Sequence, residues 1–203
     1  MKIICIGRNY YSHIKELNNE IPAEPIFFIK PDTALLISNR PFYIPEFSKE
    51  IHYEVELILK ICKSGKYINE KFALNYYNKI GIGIDFTARD IQRLHQAKGL
   101  PWEKSKAFDY SAAVSDFIDK SLLPIDKGIP FSLKLNGITV QEGNSKEMIF
   151  SFNQIISYIS QFITLRMGDI IFTGTPSGVG QVKIGDELEA FLNGERLLKC
   201  KIK

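Results

Sequence analysis

Two glutamates, Glu54 and Glu56, stand one residue apart in Ile51-His52-Tyr53-Glu54-Val55-Glu56-Leu57, a stretch that alternates apolar and polar side chains. A period of two is the signature of a strand, so both carboxylates leave one face, about 7 Å apart at the backbone. At that spacing both reach a single hard cation, and their mutual repulsion calls for a positive charge between them. The same pattern also fits a sheet edge whose polar face meets water. A second pair is His13 and Glu16, three apart on a short helix expected from about Ser12. They share a helix face, and an imidazole held by a carboxylate is fixed in one tautomer and kept basic, as activation of water requires. A solvent-facing surface pair has the same spacing.

Further groups fall at places where chain geometry exposes them to a pocket. Asp85 ends an apolar, glycine-interrupted run and begins a strand-to-helix corner. Thr87 and Asp90 read as a capping box opening a helix that Gly99 and Pro101 close. Arg89 and Gln92 share a face of that helix, where their donors can grip a carboxylate, although Arg89 could equally pair with a nearby acid. Lys106 lies among apolar residues beyond the single tryptophan, Trp102; near carboxylates it would be a desolvated cation, whereas most lysines are solvated. Gly174-Thr175-Pro176-Ser177-Gly178-Val179-Gly180 lacks the Gly-Lys-Ser/Thr ending of a phosphate loop, but it lets backbone amides and Thr175 approach a small anion.

The elements that must position these groups are mostly strands. Strands are expected at residues 1–6, 26–30, 51–57, 58–62, 81–85 and 170–173, with hairpins around Asn136-Gly137 and Asn193-Gly194. Helices are expected over 70–79, with Phe72, Tyr76 and Ile80 as its buried stripe, and from Phe152, where Ser151 and Gln154 form a capping box. Hairpins without regular strand–helix alternation indicate a strand-rich α+β chain. The 203 residues, 45% hydrophobic and 24% charged, suffice for one full core. A net charge of +3 with scattered basic residues argues against a nucleic-acid partner. Cys5, Cys62 and Cys200 form no CxxC, which supports neither a disulfide framework nor a zinc site and points to a reducing, cytoplasmic setting. The apolar run at residues 3–6 is too short for a signal peptide, and no stretch is expected to span a membrane.

In combination, Gly7-Arg8-Asn9-Tyr10 with His13 and Glu16, Phe27-Phe28-Ile29-Lys30-Pro31, His52 to Leu57, Asp85-Phe86-Thr87-Ala88-Arg89-Asp90-Ile91-Gln92, residues 98–102, Lys106, Asn136-Gly137, Gln141-Glu142-Gly143 and residues 168–180 resemble the fumarylacetoacetate hydrolase family, in particular its short acylpyruvase-like members. The resemblance covers nearly the whole chain. It implies a single catalytic domain over residues 1–203, a mixed β-roll with short flanking helices, with 1–25 as a lid or N-terminal segment, and a homodimer. It implies Mg²⁺ or Mn²⁺ on Glu54, Glu56 and Asp85, a water-activating pair in His13 and Glu16, a catalytic Lys106, and substrate contacts from Arg89, Gln92 and Thr175. The expected reaction is metal-dependent cleavage of a carbon–carbon bond in a 3-acylpyruvate, a small 2-oxo acid, through a stabilised enolate. Oxaloacetate decarboxylation or tautomerisation and isomerisation of a hydroxyheptadienedioate use the same stabilisation and are the alternatives. A metal-stabilised binding protein without turnover is the alternative outside enzymes. One departure is Ala113, where many relatives carry proline, which bears on the local loop and not on the metal ligands.

Overall fold

The computed structural model describes residues 1–16, 20–37 and 40–203; residues 17–19, inside the expected lid segment, and 38–39 lie outside the described part. The largest sheet runs in the order β2 (Ile26–Lys30), β1 (Ile3–Gly7), β12 (Ile170–Phe172), β5 (Val55–Ile61), β6 (Tyr77–Asp85), β8 (Ala112–Val114), β3 (Leu35–Ile37), with β9 (Ile118–Asp119) also paired to β6. β1 with β12 and β3 with β8 are parallel, and the other pairs are antiparallel. A second sheet orders β11 (Ile138–Asn144), β10 (Pro130–Leu135), β14 (Glu187–Leu192) and β15 (Glu195–Lys201), and a small third one joins β13 (Gly180–Gln181), β4 (Ile51–Tyr53) and β7 (Thr87–Ala88). The result is a curled, strand-rich α+β roll, as the sequence implies.

The large sheet is covered on both faces, which explains its nearly continuous apolar strands. Ile4, Ile6, Leu57, Leu59, Ile82 and Ile84 join the main core with the inner face of the second sheet and Ile155, Ile156 and Ile159. Those three isoleucines lie on one face of a helix (Phe152–Phe162) opened by the expected Ser151–Gln154 capping box. Ile3, Cys5, Ile58, Ile170 and Phe172 pack the opposite face. Both expected hairpins turn on left-handed Asn-Gly pairs, with φ of 52° and 81° at Asn136-Gly137 and 49° and 85° at Asn193-Gly194.

Three local expectations change. The segment 70–79 holds one helical turn, Glu70–Ala73, and a 3₁₀ turn, Leu74–Tyr76, before β6 begins at Tyr77. Phe72 is exposed while Tyr77 and Ile80 are buried, because antiparallel pairing with β5 overrides the helical period. The helix Arg89–Lys98 has no side-chain N-cap: Thr87 lies in β7, and Asp90 instead accepts from Ser48 Oγ and the Lys49 and Ile91 amides. Finally, 51–57 is not one continuous strand. The chain leaves the small sheet after Tyr53 and enters the large one at Val55, so Glu54 sits at the junction. The neighbouring chain makes the same transfer between β6 and β7, and the two are tied there by Asp85 N–H donating to Glu54 C=O at 2.8 Å.

Candidate active site

That double transfer brings Glu54, Glu56 and Asp85 together. Each offers a carboxylate oxygen within 4.8 Å of the others, and all three are buried, which excludes a polar face turned to water. Three cations answer them. Lys106 Nζ reaches Glu54 Oε2 at 2.8 Å and Asp85 Oδ2 at 2.9 Å, and Arg89 Nη2 reaches Glu54 Oε1 at 2.5 Å. Lys30, fully buried, places Nζ 2.7 Å from Asp85 Oδ1 and donates to Ser111 O and Oγ, both at 2.9 Å. The Asp85 Oδ1 contact is an ion pair without hydrogen-bond alignment, so that oxygen keeps an unused acceptor.

Charge is unevenly compensated across the cluster. Burial pushes Glu54 up, but the Lys106 and Arg89 cations outweigh it and hold its carboxyl well below the usual range. Burial likewise disfavours the Lys106 ammonium, yet Asp85 and Glu54 keep its pKa raised. Glu56 has no such cation beside it. Burial, then Asp85 and Glu54, raise it well above the ordinary carboxylate value, against one 2.6 Å hydrogen bond from the Gly174 amide. A buried, all-oxygen triad with one under-compensated carboxylate and one unused acceptor fits a hard divalent cation such as Mg²⁺ or Mn²⁺.

Eight of the nine residues singled out from sequence line one cavity of about 50 Å³: His13, Glu54, Glu56, Asp85, Arg89, Gln92, Lys106 and Thr175. Glu16, the ninth, stands behind His13: its Oε2 is 3.1 Å from His13 Nδ1, and its Oε1 accepts from the Gly178 amide at 3.0 Å. His13 is buried on the cavity side while Glu16 is exposed, so the pair spans from the cavity to solvent and is not a surface pair on both members. With the proton on Nδ1 donated to Glu16, Nε2 carries the free lone pair. Arg89 also donates to Gln92 Oε1, which leaves the Gln92 amide N–H groups for a ligand.

Supporting residues escape a reading by local spacing. Gln141 accepts from Val55 N at 3.0 Å and donates to Thr175 Oγ1 and Pro176 O at 2.9 Å, fixing the glycine-rich loop to β5. Thr87, expected as a helix cap, accepts from Lys106 Nζ at 2.6 Å. Asn9 ties the segment after β1 to the rest of the fold, donating to Thr173 O at 2.8 Å and Phe150 O at 3.0 Å and accepting from Phe150 N at 2.7 Å. Gly174 is required beside it: φ is +100°, and a Cβ there would meet Asn9 Cβ at 2.7 Å. His52 accepts from Arg89 Nε at 3.4 Å. Lys30 did carry a signal, a lysine closing the apolar run Ile26-Phe27-Phe28-Ile29, which is how a buried cation looks in sequence.

Comparison with known proteins agrees with this geometry. The model of the fumarylacetoacetate hydrolase C-terminal domain matches residues 2–202. The chain is 42% identical over 201 residues to the mitochondrial oxaloacetate tautomerase of Mus musculus, covering 99% of this chain and 91% of the relative. It is 43% identical over 194 residues to the mitochondrial oxaloacetate decarboxylase of Dictyostelium discoideum, covering 95% and 89%. Fumarylpyruvate hydrolase of Pseudomonas aeruginosa, solved with Mn²⁺ and pyruvate, superposes with a TM-score of 0.94 at 33% identity over all of this chain and 89% of that one. Among the described residues no helix is long and apolar enough to cross a membrane. A match over nearly the whole chain, on a fold that brings those motifs to one cavity, makes this chain a member of the fumarylacetoacetate hydrolase family.

Proposed function

We propose that this chain is a metal-dependent enzyme acting on small 2-oxo acids, and that its principal reaction is the enol–keto interconversion of oxaloacetate. The observation that carries the reading is one small cavity walled by His13, Arg89, Gln92 and Lys106 around three buried carboxylates. Arg89 and Gln92 present planar donors to the 2-oxo acid's carboxylate. Lys106, buried and kept charged, would meet the negative charge that grows on the 2-oxygen as a proton leaves C3, a preorganised contact. His13 takes that proton through Nε2, and Glu16 steadies the imidazolium until the proton is returned. Glu54, Glu56 and Asp85 would hold Mg²⁺ or Mn²⁺, which when bound supplies Lewis-acid polarisation of the substrate oxygens. The net change is one proton moved between carbon and oxygen, with no water consumed.

Hydrolysis of a 3-acylpyruvate is the second reading, supported by the same dyad: with water admitted, His13 and Glu16 activate it against the distal carbonyl. Oxaloacetate decarboxylation and dienedioate isomerisation draw on the same charge stabilisation. A binding protein without turnover has no use for the His13–Glu16 pair. We also propose a cytoplasmic homodimer. Three unpaired cysteines suit a reducing compartment, and among the described residues β2 has no strand partner on its outer edge of the large sheet and Ile29 is exposed there. Sedimentation showing only monomer at micromolar concentration would refute the dimer. For the reaction, the purified protein with Mg²⁺ should speed decay of the oxaloacetate enol absorbance well above the buffer rate, and EDTA should remove the effect. Faster turnover of an acylpyruvate than of oxaloacetate would select the second reading, and no turnover of either would leave the binder.

A further inference from the structure

We propose that Arg8 is the counter-charge for a second, distal carboxylate, which makes the site selective for dicarboxylic 2-oxo acids over monocarboxylic ones of equal length. This rests on the 2-oxo acid reading above. Arg8 forms part of the cavity wall together with Gln96 and Trp102, and it is half-buried where the acids are buried. The cavity's other arginine and lysine each already pair with acids of the triad, Arg89 with Glu54 and Lys106 with Glu54 and Asp85. Arg8 is in none of the ion pairs formed among the described residues. A half-buried arginine with no acid partner among the described residues, in a wall of this kind, suits an anion from the ligand.

The backbone points the same way. Arg8 sits at φ +58°, a left-handed conformation that glycine adopts freely and an arginine adopts at a cost. The fold imposes it: Gly7 ends β1 against Trp102, 3.6 Å from where a Cβ would stand, and Asn9 is locked to the Phe150 and Thr173 backbone. A position shaped for glycine but filled by arginine keeps the side chain for a use at the site. Charge gives the sign. With a divalent ion on the triad, Arg89, Lys106, Lys30 and Arg8 leave the cavity and its wall net positive, which suits a dianion better than a monoanion.

The test uses inert four-carbon probes on the Mg²⁺-loaded protein, by calorimetry: malate, and 2-hydroxybutanoate, in which a methyl replaces the distal carboxylate. The parent should prefer malate by about ten- to a hundredfold, the range of one charge-assisted hydrogen-bonded contact. Arg8→Gln should abolish that preference by weakening malate alone, and KM for oxaloacetate should rise by a similar factor. Arg8→Gly controls for folding. It relieves the left-handed strain, so it should melt no lower than the parent and still lose the preference. If both variants keep the malate preference, the Arg8 proposal falls and the 2-oxo acid reading stands. If the parent binds neither probe and does not turn over oxaloacetate, the reading itself falls and takes Arg8 with it.

Discussion

Glu56→Gln should separate the charge of the triad from its shape. Glu56 is buried, and burial with Asp85 and Glu54 raises its pKa well above the ordinary value, so in the metal-stripped fold it holds a proton that the unfolded chain releases. The sign follows from proton counting. An acid whose folded pKa is raised lends stability that is complete below the unfolded pKa, near 4.5, and is lost as pH rises through the folded one. Across that window the loss is up to about 1.4 kcal/mol per pH unit. For a chain of this length that is roughly 3–6 °C in melting temperature per unit. Glutamine keeps the shape and the acceptor for the Gly174 amide but cannot ionise. Melted in EDTA between pH 5 and 8, the variant should therefore lose this slope and overtake the parent as pH rises. With Mn²⁺ at a hundredfold excess over its Kd the order should reverse, because the parent gains about 2.7 kcal/mol by linkage and the variant, lacking an anionic ligand, gains much less. Equal pH slopes in EDTA, or an undiminished Mn²⁺ shift in the variant, would refute the charge argument.

Two further outcomes follow from the same geometry. Glu16→Ala should leave malate binding to the Mg²⁺-loaded protein nearly intact, since Glu16 lies behind His13, while lowering oxaloacetate tautomerisation or acylpyruvate hydrolysis by about 10²- to 10⁴-fold; stopped-flow at the parent rate would return the pair to a structural role. Lys30→Met removes the cation beside Asp85 Oδ1 and two hydrogen bonds to Ser111, so urea unfolding in EDTA should show a loss of about 3–5 kcal/mol, and a loss under 1 kcal/mol would show that Lys106 alone neutralises Asp85.

What the sequence makes legible here divides by range. Asn136-Gly137 and Asn193-Gly194 announce their turns because left-handed backbone is a property of the residues themselves, and Ser151 with Gln154 caps its helix for an equally local reason. The segment 70–79 misleads because Tyr77 and Ile80 owe their place to β5, a partner the helical period cannot represent. The site shows the same divide. Spacing puts Glu54 beside Glu56 and His13 beside Glu16, yet leaves each pair open to a solvated reading. What closes the question is a contact across 31 residues, the Asp85 amide on the Glu54 carbonyl, where two strands change sheets together. That junction buries three acids in one place, and burial turns an ordinary run of charges into a cluster that must be answered by cations. Lys30, Lys106 and Arg89 come to it from three separate elements, so their common purpose is invisible in any one stretch. Only the joint resemblance to a known family links the three acids across that distance, and it does so for the acids more fully than for Lys30 behind them.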